Sequence, residues 1–405
     1  MSEEVDFRSL DAILVRYGEI GIKSDSVRSR YEHKLIGNIK GMLSFCAISY
    51  DTIIRDYGRI FVVTKDAQAA HAVANVFGVV STSPVQKSEA TLDAMQSAAV
   101  KIVTPLLTDG KSFGIRARRT GEHDYSSKDI SEIVGSTVQK ATGAPVQLAG
   151  PDVQLFVEVR ANSAYLFTKV IPGVGGLPLG TQGKLIALIS GGIDSPVAAW
   201  TMMKRGCMIA PVFFDCEPYL GETARHRAES VVRALAAWAG RPLNFAVVNH
   251  GACLREFKAV APRLTCVLCK RMMYRVAASI AREEHAHGIV TGESIGQVAS
   301  QTTQNLLAID EASSVPVYRP LAGLDKTESI NLARRISTYG LSTAGNSLGC
   351  AAAHRHPTTS ADQEDVKRYE TELLCGEWYD EEVKSLTWDR AFPDESFRRV
   401  FASDL

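Results

Sequence analysis

Apolar residues recur along this chain in two rhythms, which change over near residue 173. Before that point, short apolar runs at 11–16 (Ala12-Ile13-Leu14-Val15) and from Gly58 to Thr64 flank a helical stretch over 26–43. Strand, helix, strand makes a small α+β unit. A second unit follows, with helical spacing over about 90–107 and 126–141. Strands are predicted at 112–117, 153–159 and 164–171, the last two joined as a hairpin near Asn162-Ser163. The stretch Ile171 to Gly180 holds four glycines and two prolines and reads as a linker. From Lys184 strands and helices alternate over 184–189, 196–205, 207–214, 222–239 and 243–248, with later strands at 288–291 and 315–318. Such alternation predicts a doubly wound parallel sheet with helices on both faces, binding ligands at the carboxyl ends of its strands. The expected division is 1–64, 65–172, a linker over 173–183, and 184–405. The last 45 residues, with Trp378, Tyr379 and Trp388 among charges, are expected to form helices packed on the third unit.

Within this α/β pattern, one junction carries chemistry. The run Leu188-Ile189-Ser190-Gly191-Gly192-Ile193-Asp194-Ser195-Pro196 passes from an apolar strand through two glycines into a helix. Adjacent glycines let the main chain turn tightly and approach a ligand closely. Ser195 suits a helix N-cap and Pro196 the first helical position. A helix N-terminus favours an anion, so the junction reads as a phosphate cradle. It lacks the Gly-Lys-Ser/Thr ending of a Walker A loop. Its form, Ser-Gly-Gly-x-Asp-Ser, resembles the pyrophosphate (PP) loop of ATP pyrophosphatases, which cleave ATP to AMP and pyrophosphate. A second strand-to-helix turn, Thr291 to Gln301 with Gly292, would face the same crevice. Lys326, at the start of a later helix, runs against the helix dipole and suits a phosphate or an exposed position.

Composition narrows the setting. The 405 residues carry 45 basic and 45 acidic side chains, but residues 346–405 hold 7 and 13 of them, a net of −6, leaving +6 for the rest. That balance allows a nucleic-acid partner without requiring one. Arg116, Arg118 and Arg119 form a cationic patch suited to an RNA backbone, or a solvated charge cluster. No apolar run is long enough to span a bilayer, and the acidic start Met1 to Asp6 shows no leader, so a cytoplasmic protein with reduced thiols is expected. Of eight cysteines, Cys266 and Cys269 form a CxxC followed by Lys270 and Arg271, whose charges would lower the thiol pKa. Half a zinc site, a redox pair and two buried thiols are all open readings. Cys350, in the loop from Gly345, is the candidate third thiol. Three thiolates could hold a [4Fe–4S] cluster with one iron open, or carry a persulfide resolved as a disulfide. Cys46, Cys207, Cys216, Cys253 and Cys375 read as buried and inert.

Together these motifs resemble the tRNA 4-thiouridine synthetase (ThiI) family. Val15-Arg16-Tyr17-Gly18-Glu19-Ile20-Gly21-Ile22-Lys23 is similar to its N-terminal ferredoxin-like domain, and about 65–172 to its THUMP domain, an RNA-binding module. Gly175 to Gly180, Ser190 to Ala198, Lys270 to Met273, Thr291 to Gln301 and Arg319 to Lys326 match its PP-loop catalytic domain. The resemblance implies that ATP sits against Leu188, Ile189, Ser190, Gly191, Gly192, Ser195, Phe213, Phe214, Lys270, Gly292 and Gln301, with Asp194 as the acid beside bridging Mg²⁺. Relatives often carry histidine where Phe213 stands. Many bacterial members add a rhodanese domain, for which the last 45 residues are too few. The chain thus resembles the archaeal-type branch, where CxxC plus one later cysteine goes with an iron–sulfur cluster, here Cys266, Cys269 and Cys350. The expected activity is thiolation of uridine 8 of tRNA. Its sulfur donor would be sulfide or a persulfide carrier protein. Thiolation of another tRNA base is the alternative, and a homodimer is allowed.

Overall fold

The computed structural model describes residues 10–108, 110–221, 223–345, 349–373 and 375–403. The acidic start Met1 to Asp6, and Asn346 to Leu348 of the loop before Cys350, lie outside them. The chain forms two compact units. One comprises the residues up to 32, 46–175 and those from 400 onward; the other comprises 33–45 and 176–399.

The first unit is built on one sheet. Its elements are β1 (Ala12–Tyr17), the start of α1 (Asp25–Phe45), β2 (Thr52–Asp56), β3 (Arg59–Val63), α2 (Gln68–Ala74), β4 (Val79–Glu89), α3 (Leu92–Val103), β5 (Phe113–Thr120), α4 (Ser127–Thr142), β6 (Val153–Arg160), β7 (Ser163–Phe167) and β8 (Ile171–Pro172). The strands run in the order β2-β3-β1-β4-β7-β6-β5, with β8 beside β4. The long β4 makes this continuity: Val79 to Val85 pair with β1 and Gln86 to Glu89 with β7. The expected hairpin is present, Arg160 opposite Ser163, with Ala161 at φ 44° in the two-residue turn. Ser126 and Asp129 close a capping box on α4, whose buried Ile130, Val134 and Val138 share a core with Met95, Leu155 and Val157.

The second unit alternates strand and helix. It contains β9 (Lys184–Leu188), α5 (Asp194–Lys204), β10 (Met208–Asp215), α6 (Thr223–Ala239), β11 (Leu243–Asn249), α7 (Gly251–Val260), α8 (Thr265–Glu283), β12 (Ile289–Val290), α9 (Thr303–Asp310), β13 (Val317–Tyr318), α10 (Lys326–Arg335), α11 (Tyr339–Thr343), α12 (Gln363–Glu372), α13 (Cys375–Ser385) and β14 (Thr387–Ala391). Strand order is β13-β12-β9-β10-β11-β14, parallel except for the last. The expected α/β architecture holds, with the glycine turn at the carboxyl end of central β9. Ile186, Val212, Val248 and Ile289 on the strands and Met272, Val276 and Ile280 on α8 are fully buried. The C-terminal stretch departs from the helices expected of it. After α12 and α13 it adds β14, antiparallel along β11. No helix among the described residues is long and apolar enough to cross a membrane.

Candidate active site

The glycine turn after β9 is tied down by its own side chains. The main-chain N–H of Ser190 donates to Ser195 Oγ at 3.1 Å, and that of Gly192 to Ser190 Oγ at 3.3 Å. Gly191 has φ 73°, and a Cβ there would lie 2.8 Å from the carbonyl oxygen of Ala224, so the close crossing of α6 requires glycine. α5 starts two residues earlier than expected. Ile193 is its N-cap, Asp194 its first residue, and Ser195 and Pro196 its second and third. Ser195 is therefore buried, and its hydroxyl accepts from the turn rather than capping the helix.

The second glycine turn meets the first. A Cβ on Gly292 would stand 2.7 Å from the Asp194 carbonyl carbon and the Ser195 nitrogen. The two turns thus touch main chain to main chain at the head of α5. Asp194 accepts from Lys326 Nζ at 2.7 and 2.9 Å and from Gln297 Nε2 at 3.1 Å. Lys326, at the first position of α10 despite the helix dipole, has its electrostatic partner in Asp194. Glu293, which follows Gly292, is buried and ionised. Its Oε1 accepts from Lys270 Nζ at 2.6 Å, and its Oε2 from Tyr274 Oη at 2.7 Å, Arg319 Nε at 2.8 Å and Thr291 Oγ1 at 3.1 Å. Burial alone would raise its pKa, but Lys270 and Arg319 outweigh burial and hold the carboxyl at about 2. At the far end of the turn, the buried Gln301 Oε1 has no hydrogen-bond partner among the described residues. Leu188 is half-buried and Ile189 buried. Phe213 and Phe214 are only 1% and 5% exposed, so a ligand at the end of β10 would meet main chain rather than their rings.

α8 places Cys266 and Cys269 in its first two turns, with Lys270 next. Cys269 and Cys350 pack against one apolar cluster of Cys216, Leu254 and Ala352, and Cys266 lies within electrostatic reach of both. The three thiols expected to act together are therefore neighbours. For Cys266 the thiol pKa runs against expectation. Burial pushes Cys266 up to about 11 and Cys350 up as well. Lys270 does pull Cys266 down, but less than burial raises it. Arg271 faces elsewhere, buried against Glu370 at 2.7 Å. Cys216 and Cys253 are buried as expected, yet they adjoin this site rather than standing apart; Cys46 is only half-buried.

Two polar residues of this site were missed from sequence. His250 Nε2 lies 3.2 Å from Cys269 Sγ, and its Nδ1 lies 2.8 Å from Glu382 Oε1. His250, Cys253 and Glu382 are all buried, with ligating atoms within 4.8 Å of one another. Burial would lower the His250 pKa, but Cys269 and Glu382 prevail and lift it to about 10. His250 ends the loop after β11 and Glu382 sits on α13, 132 residues later, so no local signal joins them.

In the first unit, Arg116 and Arg118 alternate on the exposed face of β5, while Arg119 points the other way and donates to the Gly121 carbonyl at 2.6 Å. Arg116 and Arg118 line a cleft of about 180 Å³ with Arg16, Phe156 and Phe167. The two rings stack at 5.0 Å, and the Arg16 guanidinium stands 4.8 Å above Phe167. Desolvation lowers the Arg16 pKa to about 10. A second cleft gathers Arg59, Arg119 and Arg160 around the buried Glu158.

These placements meet a known pattern. Residues 180–375 match the family model described as thiamine biosynthesis protein (ThiI), residues 12–83 its ferredoxin-like domain, and residues 89–169 the THUMP domain. A Methanosarcina mazei protein named probable tRNA sulfurtransferase is 43% identical over 91% of this chain and 94% of its own length. The chain belongs to the ThiI family. A protein of the same name from Methanothermobacter thermautotrophicus is also 43% identical, over 88% of this chain and 92% of its own. A solved 4-thiouridine synthetase–RNA complex with bound ATP is 31% identical, with TM-score 0.84 over 94% of this ThiI-family chain and 100% of that one.

Proposed function

We propose that the chain is a tRNA sulfurtransferase that converts uridine 8 of tRNA to 4-thiouridine. One observation carries the reading. An unbroken path of contacts joins a thiol to the glycine turn: Cys269, its neighbour Lys270, Glu293, its neighbour Gly292, and the main chain of Asp194 and Ser195. Such a path would let activation and sulfur delivery work side by side. Membership of the family, and likeness to an RNA- and ATP-bound 4-thiouridine synthetase, support the same reading.

The chemistry divides along that path. The uracil O4 is a poor leaving group. Attack of O4 on the α-phosphorus of ATP releases pyrophosphate and leaves O4 bearing AMP. A sulfur nucleophile then adds at C4, and AMP departs with the former O4. The N–H groups at the head of α5 would bind the phosphates, Lys326 would add positive charge, and Asp194 would offer its carboxylate to Mg²⁺ arriving with the triphosphate. The unpartnered Gln301 Oε1 is an acceptor suited to the exocyclic amine of adenine. Cys266, Cys269 and Cys350 would hold a [4Fe–4S] cluster, the donor set of three neighbouring thiols in apolar surroundings fitting it. When bound, such a cluster supplies a site for the incoming sulfur. Arg16, Arg116 and Arg118 would take the RNA backbone, with Phe156 and Phe167 beside them to stack an unpaired base.

Nucleoside mass spectrometry of tRNA from a deletion strain tests the activity. Loss of 4-thiouridine, restored by the gene, is expected; its persistence, or loss of a different thiolated base, would sink the assignment. Iron and acid-labile sulfide in anaerobically purified protein test the cluster, and their absence would move sulfur delivery to a persulfide on the same cysteines.

A further inference from the structure

Glu293 divides its two oxygens unequally. Oε2 is clamped by three donors: Tyr274 Oη, Thr291 Oγ1 and Arg319 Nε. Arg319 is itself fixed by Asp310, whose carboxylate accepts from both terminal nitrogens, one at 3.0 Å. Oε1 is left, among the described residues, to a single partner, Lys270 Nζ at 2.6 Å. A buried carboxylate with one oxygen locked and the other presented to a cation is a rigid arm. The Lys270 side chain remains 23% exposed, and an ammonium has three N–H donors, so one bond to Glu293 leaves two for a ligand. Gly292, next in sequence, bears on the head of α5.

We propose that Glu293 is a positioning residue for ATP: it holds the Lys270 ammonium at the crevice so that its two free N–H groups meet the nucleotide. Glu293 does not touch the nucleotide itself. The proposal rests on the reading of this crevice as the ATP site. It separates two kinds of ammonium, one preset by a fixed carboxylate and one that must be ordered as ATP binds.

ATP affinity of the full chain, measured by calorimetry on the wild type, Lys270→Met, Glu293→Gln and the double variant, tests it. Each single variant is expected to weaken binding about tenfold, and the double variant to bind no more weakly than Lys270→Met alone, because the second change removes an arm with nothing to hold. Losses that add in the double variant, or wild-type affinity in Glu293→Gln, would overturn the proposal. Glu293→Asp keeps the charge but withdraws the carboxylate by one methylene. It should fold if Glu293→Gln does not, and should also bind ATP weakly; wild-type affinity there would equally overturn it. A carboxylate needed only for folding would lower the melting temperature and leave the affinity of folded protein unchanged. A wild-type chain that binds no ATP would refute the nucleotide reading itself, a result distinct from wild-type binding that the variants leave intact.

Discussion

At Gly292 an added methyl carbon would lie 2.7 Å from main-chain atoms of Asp194 and Ser195, which have no flexible end to yield. Gly292→Ala must push the two turns apart. We expect it to cost about 1–3 kcal/mol of stability and to weaken ATP binding at least tenfold. Thermal melts and calorimetry would check both, and an unchanged affinity would count against contact of the two turns in the working site. Glu293 gives a residue-scale test in pH. Its folded pKa, about 2, lies below the ordinary 4.5, so the unfolded chain binds the proton first as pH falls. The contribution is complete above pH 4.5 and is lost between there and pH 2, amounting to about 3 kcal/mol at most. Denaturant titrations at pH 7, 4.5 and 3 should show this acid loss in the wild type and a smaller one in Glu293→Gln. Lys326 shows what sequence reveals at this scale. Its position against the helix dipole left an anion contact and an exposed lysine both open; the partner, Asp194, lies 132 residues away and needed the fold.

Among the elements, strand, double glycine and helix are contiguous, so β9, its turn and the start of α5 were legible from local pattern alone. β14 was not. It reads Thr-Trp-Asp-Arg-Ala, its first four residues exposed, and pairs along the sheet edge without the alternating buried face that marks a strand. The same C-terminal stretch hides a residue of the cluster around the three thiols. α13 was expected as a helix packed on the third unit, but its pattern did not single out Glu382, which is 2% exposed and bound to His250, itself beside Cys269. Neither a lone histidine nor one glutamate in an acidic run stands out, whereas CxxC does. If α13 serves the thiols through His250, then His250→Phe and Glu382→Gln should cut 4-thiouridine formation about tenfold or more while ATP affinity stays within twofold of wild type. Full thiolation in both variants would reduce the His250–Glu382 pair to a packing feature.

Across the whole molecule, the formal charge is zero, yet the arginines of the first unit gather by topology rather than by sequence. Arg116 and Arg118 were visible as a run, but Arg16 joins them only because β1 and β5 belong to one sheet. Arg119, in the same run, faces away because strand side chains alternate. This geometry sorts the run into two classes with different expected effects. If Arg16, Arg116 and Arg118 contact RNA phosphates, replacing Arg116 and Arg118 together by alanine should weaken tRNA binding and flatten its dependence on salt, lowering the log–log slope by about two. Arg119→Ala, on the other face of the strand and outside the cleft of Arg16, Arg116 and Arg118, should change that slope by less. ATP affinity should not move in either variant, because the residues proposed for the nucleotide all lie in the second unit. Filter binding of tRNA across a salt series, with calorimetry for ATP, separates these outcomes. An unaltered slope in the double variant, or equal effects from Arg119→Ala, would place the RNA contacts elsewhere on the sheet.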